Sequence, residues 1–291
     1  MKRNLCTFDG NFGFMQKIRF LSLVCLVSAV VVGCSDWNGD IVESIAYVEL
    51  QDSISPVPQE GMPRCVFKAS MAYFDSSKET ARKLNAQIAN SLLLAADNTV
   101  HTNPKEAVEN FRNGFFQLYN DEIAPLVRAD SDSGVPVAEM PGWYSVVREV
   151  DTRIFCGLDS VVCYELRITD HKGGVHPNTY TFWYDFSLRD ASRITVGACL
   201  DTNADGLKKL LEEELVRVID EKTDDELPDM EALKKEYGIP YGDSLYVPEN
   251  FLLTESCVSF LYNRYEIAPY AFGDIRLDIP YDKIRPYLTR K

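Results

Sequence analysis

Tyr180-Thr181-Phe182-Trp183-Tyr184-Asp185-Phe186 is the stretch whose periodicity decides the fold. Tyr180, Phe182, Tyr184 and Phe186 recur at every second position, with Thr181, Trp183 and Asp185 between them. Successive side chains of a strand point to opposite faces, so this pattern predicts a strand with one strongly aromatic face. Working outward, the same period predicts strands over 144–150, 152–156 and 161–169, the last two joined at Gly157-Leu158-Asp159-Ser160. A short strand follows at 194–196. Strands this closely spaced pair antiparallel, because a parallel pair needs a crossover of roughly a dozen residues.

Upstream, strands are expected over 43–50 and 65–74, the second with Phe67, Ala69, Met71 and Tyr73 on one face. Ser76 with Glu79 three residues later reads as a capping box, ahead of the stripe Leu84, Ile88, Leu92. Asn103-Pro104 with Glu106 opens a second helix, whose inner face is read as Val108, Phe111, Phe115, Leu118 and Tyr119. Ser, Asp, Gly and Pro crowd 130–136. That segment is the expected boundary between an N-terminal α/β subdomain, 43–129, and a C-terminal α+β domain, 137–291.

Downstream, Leu207, Leu211, Leu215 and Val218 mark the inner face of a helix over 207–221. A short helix over 229–237 is stopped by Gly238. Strands follow at 251–254, 258–262 and 274–279, and 281–288 closes as a short helix. The fold class is α+β, a mainly antiparallel sheet with helices packed on it.

The N-terminus carries a separate message. Met15-Gln16-Lys17-Ile18-Arg19 is basic, 20–32 is apolar and uncharged, and Val31-Val32-Gly33 precedes Cys34. Basic, apolar and small residues in that order read as a secretory signal. Its apolar run is shorter than the roughly 20 residues that cross a bilayer. The placing of Cys34 resembles a lipobox, which implies transfer of a diacylglycerol to its sulfur and cleavage before Cys34, with palmitate as an expected acyl chain. The expectation is a signal peptide over 1–33, with the true start at Met15, and a lipidated tether over 34–42. Ser35-Asp36 and Asp40 resemble the acidic signal of surface-exposed lipoproteins of the Bacteroides group; a solvated linker accounts for them equally, so the membrane leaflet stays open.

Without residues 1–33 the chain keeps 26 Lys and Arg against 43 Asp and Glu, a net charge of −17. Such a surface repels nucleic acid and anionic lipid, and no nucleic-acid partner is expected. It attracts a basic protein, although acidity is also a plain device for solubility. Five cysteines follow Cys34, namely Cys65, Cys156, Cys163, Cys199 and Cys257, and the core is large enough to use most of them as small apolar side chains.

Little in the chain points to catalysis. His101 precedes a helix cap and reads as a solvated loop residue. His171 and His176 bracket two glycines, with Asp170 the one nearby third ligand, which falls short of a recognised metal spacing. Cys163 and His176 are one Cys–His pairing, among five candidate cysteines, that adjacent strands could bring together. The acid runs Glu212-Glu213-Glu214 and Asp224-Asp225-Glu226 read as solvated faces. No enzyme, metal or cofactor is expected.

Two motifs carry a resemblance. Gly173-Gly174-Val175-His176-Pro177-Asn178 leads into the aromatic strand, and Tyr265-Glu266-Ile267-Ala268-Pro269-Tyr270-Ala271-Phe272-Gly273 precedes Ile279-Pro280-Tyr281 and Tyr287-Leu288. Over residues 160–290 the chain resembles the extracellular domain of the anti-sigma factor RsiV and the domain ahead of the deacetylase module in PdaC-type peptidoglycan deacetylases. Residues 43–125 resemble the strand–strand–helix unit before it. This implies an envelope setting and binding of a lysozyme-like protein or of peptidoglycan. The chain shows neither a deacetylase module nor a sigma-binding segment, so those activities are not expected to transfer. His176, Asn178, Tyr265, Glu266 and Tyr270 are the candidate ligand-binding residues. Their structural reading is a tight turn at Gly173-Gly174 and a bend between Pro269 and Gly273. The alternatives are an envelope hydrolase acting on cell-wall polysaccharide and a purely structural lipoprotein.

Overall fold

The computed structural model describes residues 44–289 apart from 58, 93–100 and 174–175. The signal segment, Cys34 and the tether therefore lie outside the described residues.

Six strands form one sheet in sequence order: β1 (Ile45–Ile54), β2 (Cys65–Phe74), β3 (Val146–Cys156), β4 (Val161–His171), β5 (Asn178–Ser187) and β6 (Arg193–Ile194). All neighbours are antiparallel except β2 and β3, which run parallel with Cys65 opposite Val146 and Ser70 opposite Asp151. The parallel pair needs a long return, and helices α1 (Glu79–Ser91), α2 (Pro104–Glu122) and α3 (Ala124–Asp132) provide it. The segment 130–136 thus falls on the end of α3 and the turn after it, and the sheet runs across it.

Alternation explains the first core. Phe67 and Met71 of β2, Val150 of β3, Tyr164 and Leu166 of β4 and Tyr184 and Phe186 of β5 share the face that receives Leu84, Ile88 and Phe115 from the helices. Tyr164 and Tyr184 stand opposite each other in the β4–β5 register, with ring centroids 6.2 Å apart.

A second unit is built by the rest of the chain. Helices α4 (Val196–Cys199), α5 (Asp205–Thr223) and α6 (Met230–Tyr237) precede strands β7 (Phe251–Leu253), β8 (Cys257–Tyr262) and β9 (Ile275–Pro280) and helix α7 (Tyr281–Ile284). These strands form an antiparallel sheet in the order β7-β8-β9. Leu207, Leu211, Leu215 and Ile219 of α5 pack on Val258, Phe260, Tyr262, Ile275 and Leu277. The opposite side chains, Leu252 and Leu261, pack on Cys163 and Trp183 of the large sheet. The molecule is therefore layered as helices, large sheet, small sheet and helix.

That layering corrects the reading of β5. One strongly aromatic face was expected, and the residues between, Thr181, Trp183 and Asp185, are buried as well, because the small sheet lies on them. Local starts also differ in detail. Asn103 caps α2, accepting from the Lys105 N–H at 3.0 Å. Ser76 caps nothing, since the backbone stays extended through Lys78 and α1 begins at Glu79; its hydroxyl accepts from the Lys78 N–H at 3.3 Å. Leu118 is 52% exposed. It lies about 60° around the helix from Phe115, on the side away from Tyr119, and so points past the core. The two strands expected over 144–156 are one, and Val196 belongs to α4 rather than to a strand. Among the described residues no two cysteines are joined in a disulfide.

Candidate functional site

The strand ends define two poles. Ile45 is opposite Phe74, and Cys156, Val161 and Ser187 lie at that same end. Ile54, Cys65, Val146, His171 and Asn178 lie at the other. Ten residues at about 3.3 Å each separate the poles by roughly 33 Å.

The distal pole, away from Ile45, gathers three of the candidate residues. His176 in the β4–β5 connection stacks on Tyr270, with centroids 5.2 Å apart and planes at 18°. Tyr265 lies on Tyr270 as well, at 5.5 Å and 37°. The Tyr270 hydroxyl donates to the Pro177 carbonyl at 3.4 Å and receives the Arg264 Nη1 at 3.1 Å. The Arg264 guanidinium also sits over the Tyr270 ring, 5.0 Å from its centroid.

Tyr265 is held in an unusual conformation. The turn Asn263–Glu266 is closed by the Glu266 N–H donating to the Asn263 carbonyl at 3.0 Å, and Tyr265 has φ +65°. A bulky side chain in the left-handed region costs about 1–2 kcal/mol. The surroundings enforce it: Asn263 N–H donates to Glu266 Oε2 at 2.7 Å, and Tyr246 hydroxyl donates to Glu266 Oε1. The result is a phenol ring 60% exposed on top of a stack. Across the β4–β5 connection, Trp143 is 78% exposed. The connection fits tightly there, since Gly173 has φ +68° and a Cβ on it would come 2.6 Å from the Gly142 carbonyl.

The other candidates play different parts. Glu266 is a brace within the turn rather than a member of the stack. Asn178 is exposed at the start of β5, opposite Asp170, and outside the stack. Arg264 and Asn263 belong to the stack and its support but were not expected from sequence. Arginine beside tyrosine in Arg264-Tyr265 is the one signal that could have drawn attention to them.

Asn263 ties the stack to the large sheet. Its Oδ1 accepts the Thr181 N–H at 2.7 Å and its Nδ2 donates to the Thr181 carbonyl at 3.1 Å. Asn250 does the same next door, accepting from Trp183 N–H at 2.7 Å and donating to the Thr181 carbonyl at 2.9 Å. β6 pairs with β5 only at Asp185 and Phe186, so these two amides satisfy a strand edge that would otherwise be bare.

The titratable groups of interest lie elsewhere. Asp185 is fully buried between the sheets, its Oδ2 accepting the Leu253 N–H at 2.7 Å and its Oδ1 without a hydrogen-bond partner. Burial pushes its carboxyl up to about 7, against the opposing pull of bonds from Cys163 and Leu253. Cys163 is buried beside it, and burial raises its thiol far above the ordinary range. The pairing of Cys163 with His176 does not form, because they lie at opposite poles of β4 and β5. His101 is buried, not solvated; its N–H donates to Asn90 Oδ1 at 3.2 Å, and its Nδ1 lies 3.5 Å from Asn110 Nδ2. Among the described residues no three His, Cys, Asp or Glu side chains are grouped so as to hold a metal ion, and no helix is long and apolar enough to cross a membrane.

Comparison with known proteins places part of the chain. Residues 200–282 match a family described as a protein of unknown function (DUF3298). Two solved structures share the fold. A member of that family from Bacteroides fragilis is 18% identical, with 84% of this chain and 92% of that chain covered and a TM-score of 0.69. A second, from Pseudomonas aeruginosa, is 16% identical, with 84% and 95% covered and a TM-score of 0.56. No curated protein matches.

Proposed function

We propose that the protein is a lipid-anchored component of the bacterial cell envelope, and that it binds a partner outside the cell, without catalysis, through the Tyr265–Tyr270–His176 stack. The observation that carries this is the left-handed Tyr265, braced by Asn263 and Glu266 and 60% exposed. Strain that the fold maintains in order to project a ring into solvent points to a use for the ring. Exposed, rigidly held aromatics are the usual anchors of binding surfaces.

The topology supports the setting. The described chain starts at the pole opposite the stack, and Cys34 is 11 residues before Ile45, a reach of at most about 40 Å. An anchor at Cys34 would enter the described chain at the pole opposite the stack. The resemblance to RsiV and to the domain ahead of PdaC-type deacetylases supports an envelope partner. It is of two kinds on that resemblance: a basic lysozyme-like protein, which the net charge of −17 would draw in, and cell-wall glycan.

The test is retention by the partner of purified protein from which residues 1–34 have been removed. Lysozyme beads and purified sacculi are each offered to wild type and to Tyr265→Gly, which keeps the backbone conformation and deletes the ring. Retention of wild type by either support, lost in Tyr265→Gly, is the expected result. Retention by neither, or equal retention of the two proteins, contradicts the reading.

A further inference from the structure

We propose that Asp185 is a pH-operated pin between the two sheets. While its carboxyl is protonated it holds the small-sheet unit on the large sheet; as the pH rises the two part, each still folded. The joint is where the molecule opens most readily, because few apolar side chains are exposed by parting it. Each unit keeps an extensive core of its own, one under α1–α3 and one around α5. Between them lie four buried apolar side chains, Cys163, Trp183, Leu252 and Leu261. A short set of hydrogen bonds completes the joint. Asp185 Oδ2 accepts the Leu253 N–H at 2.7 Å, and the Leu253 carbonyl accepts the Leu158 N–H at 2.8 Å. Asn250 and Asn263 bond the backbone of β5.

The groups packed around this carboxyl do not compensate a charge on it. Opposite it on β4 is the thiol of Cys163. From the small-sheet unit Tyr281 of α7 stands near it, its hydroxyl donating to the Thr254 carbonyl at 2.8 Å, with Cys257 of β8 and Asp159 of the β3–β4 turn close to that ring. These groups are neutral or acidic. Further along the same face of β4, Glu165 accepts the Trp183 indole N–H at 2.9 Å, and Arg167 lies 3.8 Å from Glu165. The arginines of the flanking strands are engaged elsewhere. Arg193 of β6 lies over the Tyr184 ring, 4.9 Å from its centroid, and Arg276 of β9 donates to Asp278 and Ser259. A buried carboxyl with no cation beside it resists ionisation, and in the closed joint Asp185 stays protonated up to about 7. In the open joint water reaches it, and it ionises near its ordinary value of 3.8. Between those two values each pH unit favours the open joint by about tenfold, and above about 7 the effect levels off.

The test is hydrogen exchange of single amides in the full-length protein, followed by NMR at pH 5 and pH 7 and expressed as protection relative to an unstructured chain. The Thr181, Trp183 and Leu253 N–H groups bond across the joint. The amides that pair β8 with β9 and β2 with β3 serve as references within each unit. The expected result is that the joint amides are less protected than both reference sets and lose at least about 10-fold in protection from pH 5 to pH 7. In Asp185→Asn and Asp185→Ala, which carry no titrating group there, the loss should stay below about 3-fold. Joint amides as protected as the references at both pH values would mean that the units part only when the whole chain unfolds, which overturns the proposal. Joint protection that does not change with pH, or that falls equally in a folded variant, overturns the role of Asp185. The wild-type comparison decides the first two outcomes without either variant.

Discussion

Asn250 does for Trp183 what a neighbouring strand would do: its side-chain oxygen accepts the Trp183 N–H at 2.7 Å, and its amide donates to the Thr181 carbonyl at 2.9 Å. A side chain from the small sheet's unit thereby completes the edge of the large one. The joint between the two units combines such polar pegs with the small apolar contact of Cys163, Trp183, Leu252 and Leu261.

Asn250→Ala should therefore cost more than its surface suggests. It strands a backbone N–H beside a buried Trp183, and an unsatisfied buried donor costs about 1–3 kcal/mol. Urea unfolding of the variant and wild type measures it, and a loss below about 0.5 kcal/mol would mean that water replaces the amide freely.

Asp185 makes stability depend on pH in a direction unlike that of most carboxylates. Its folded value is raised to about 7 from 3.8. The stabilisation is present in full below the unfolded value and is lost as pH rises from about 4 to about 7, because over that range the unfolded carboxyl ionises while the buried one stays protonated. The expected loss between about pH 4 and pH 8 is on the order of 3–4 kcal/mol at most, at 1.36 kcal/mol per unit. Asp185→Asn removes the titration, so its stability should be flatter over that range than wild type when both are unfolded in urea at pH 5 and pH 8. Equal slopes would show that Asp185 is ionised throughout.

The anchor can be tested apart from the fold. Cells expressing the full chain and fed radiolabelled palmitate should label the wild type and not Cys34→Ser. The labelled protein should partition with membranes until detergent is added, as expected of more than one acyl chain. Label retained in Cys34→Ser would place the lipid elsewhere.

Much of the fold was legible because it rests on local periodicity. The aromatic alternation of β5, the Gly157–Ser160 turn, the Asn103 cap and the stop at Gly238 all follow from a few adjacent residues. What was not legible depends on partners distant in sequence. Nothing near Asp185 says that Leu253 and the small sheet will cover it. Nothing near β2 says that it will pair in parallel with a strand 81 residues later. The site divided in the same way. His176, Tyr265 and Tyr270 were found through the two motifs, and the structure joins them. Asn263 was missed because its role is set by Thr181 on another sheet, and Glu266 was placed among the binding residues because its role as a brace exists only in the folded turn.

The most direct measurement is photo-crosslinking in living cells, with a benzophenone amino acid placed at position 265 and, as a control, at exposed Arg189 near the opposite pole. The account predicts a crosslinked envelope partner, glycan or protein, from position 265 and none from position 189. Crosslinks from position 189 alone would mean that the partner meets the other end of the molecule, and that the strained, exposed Tyr265 serves something other than binding.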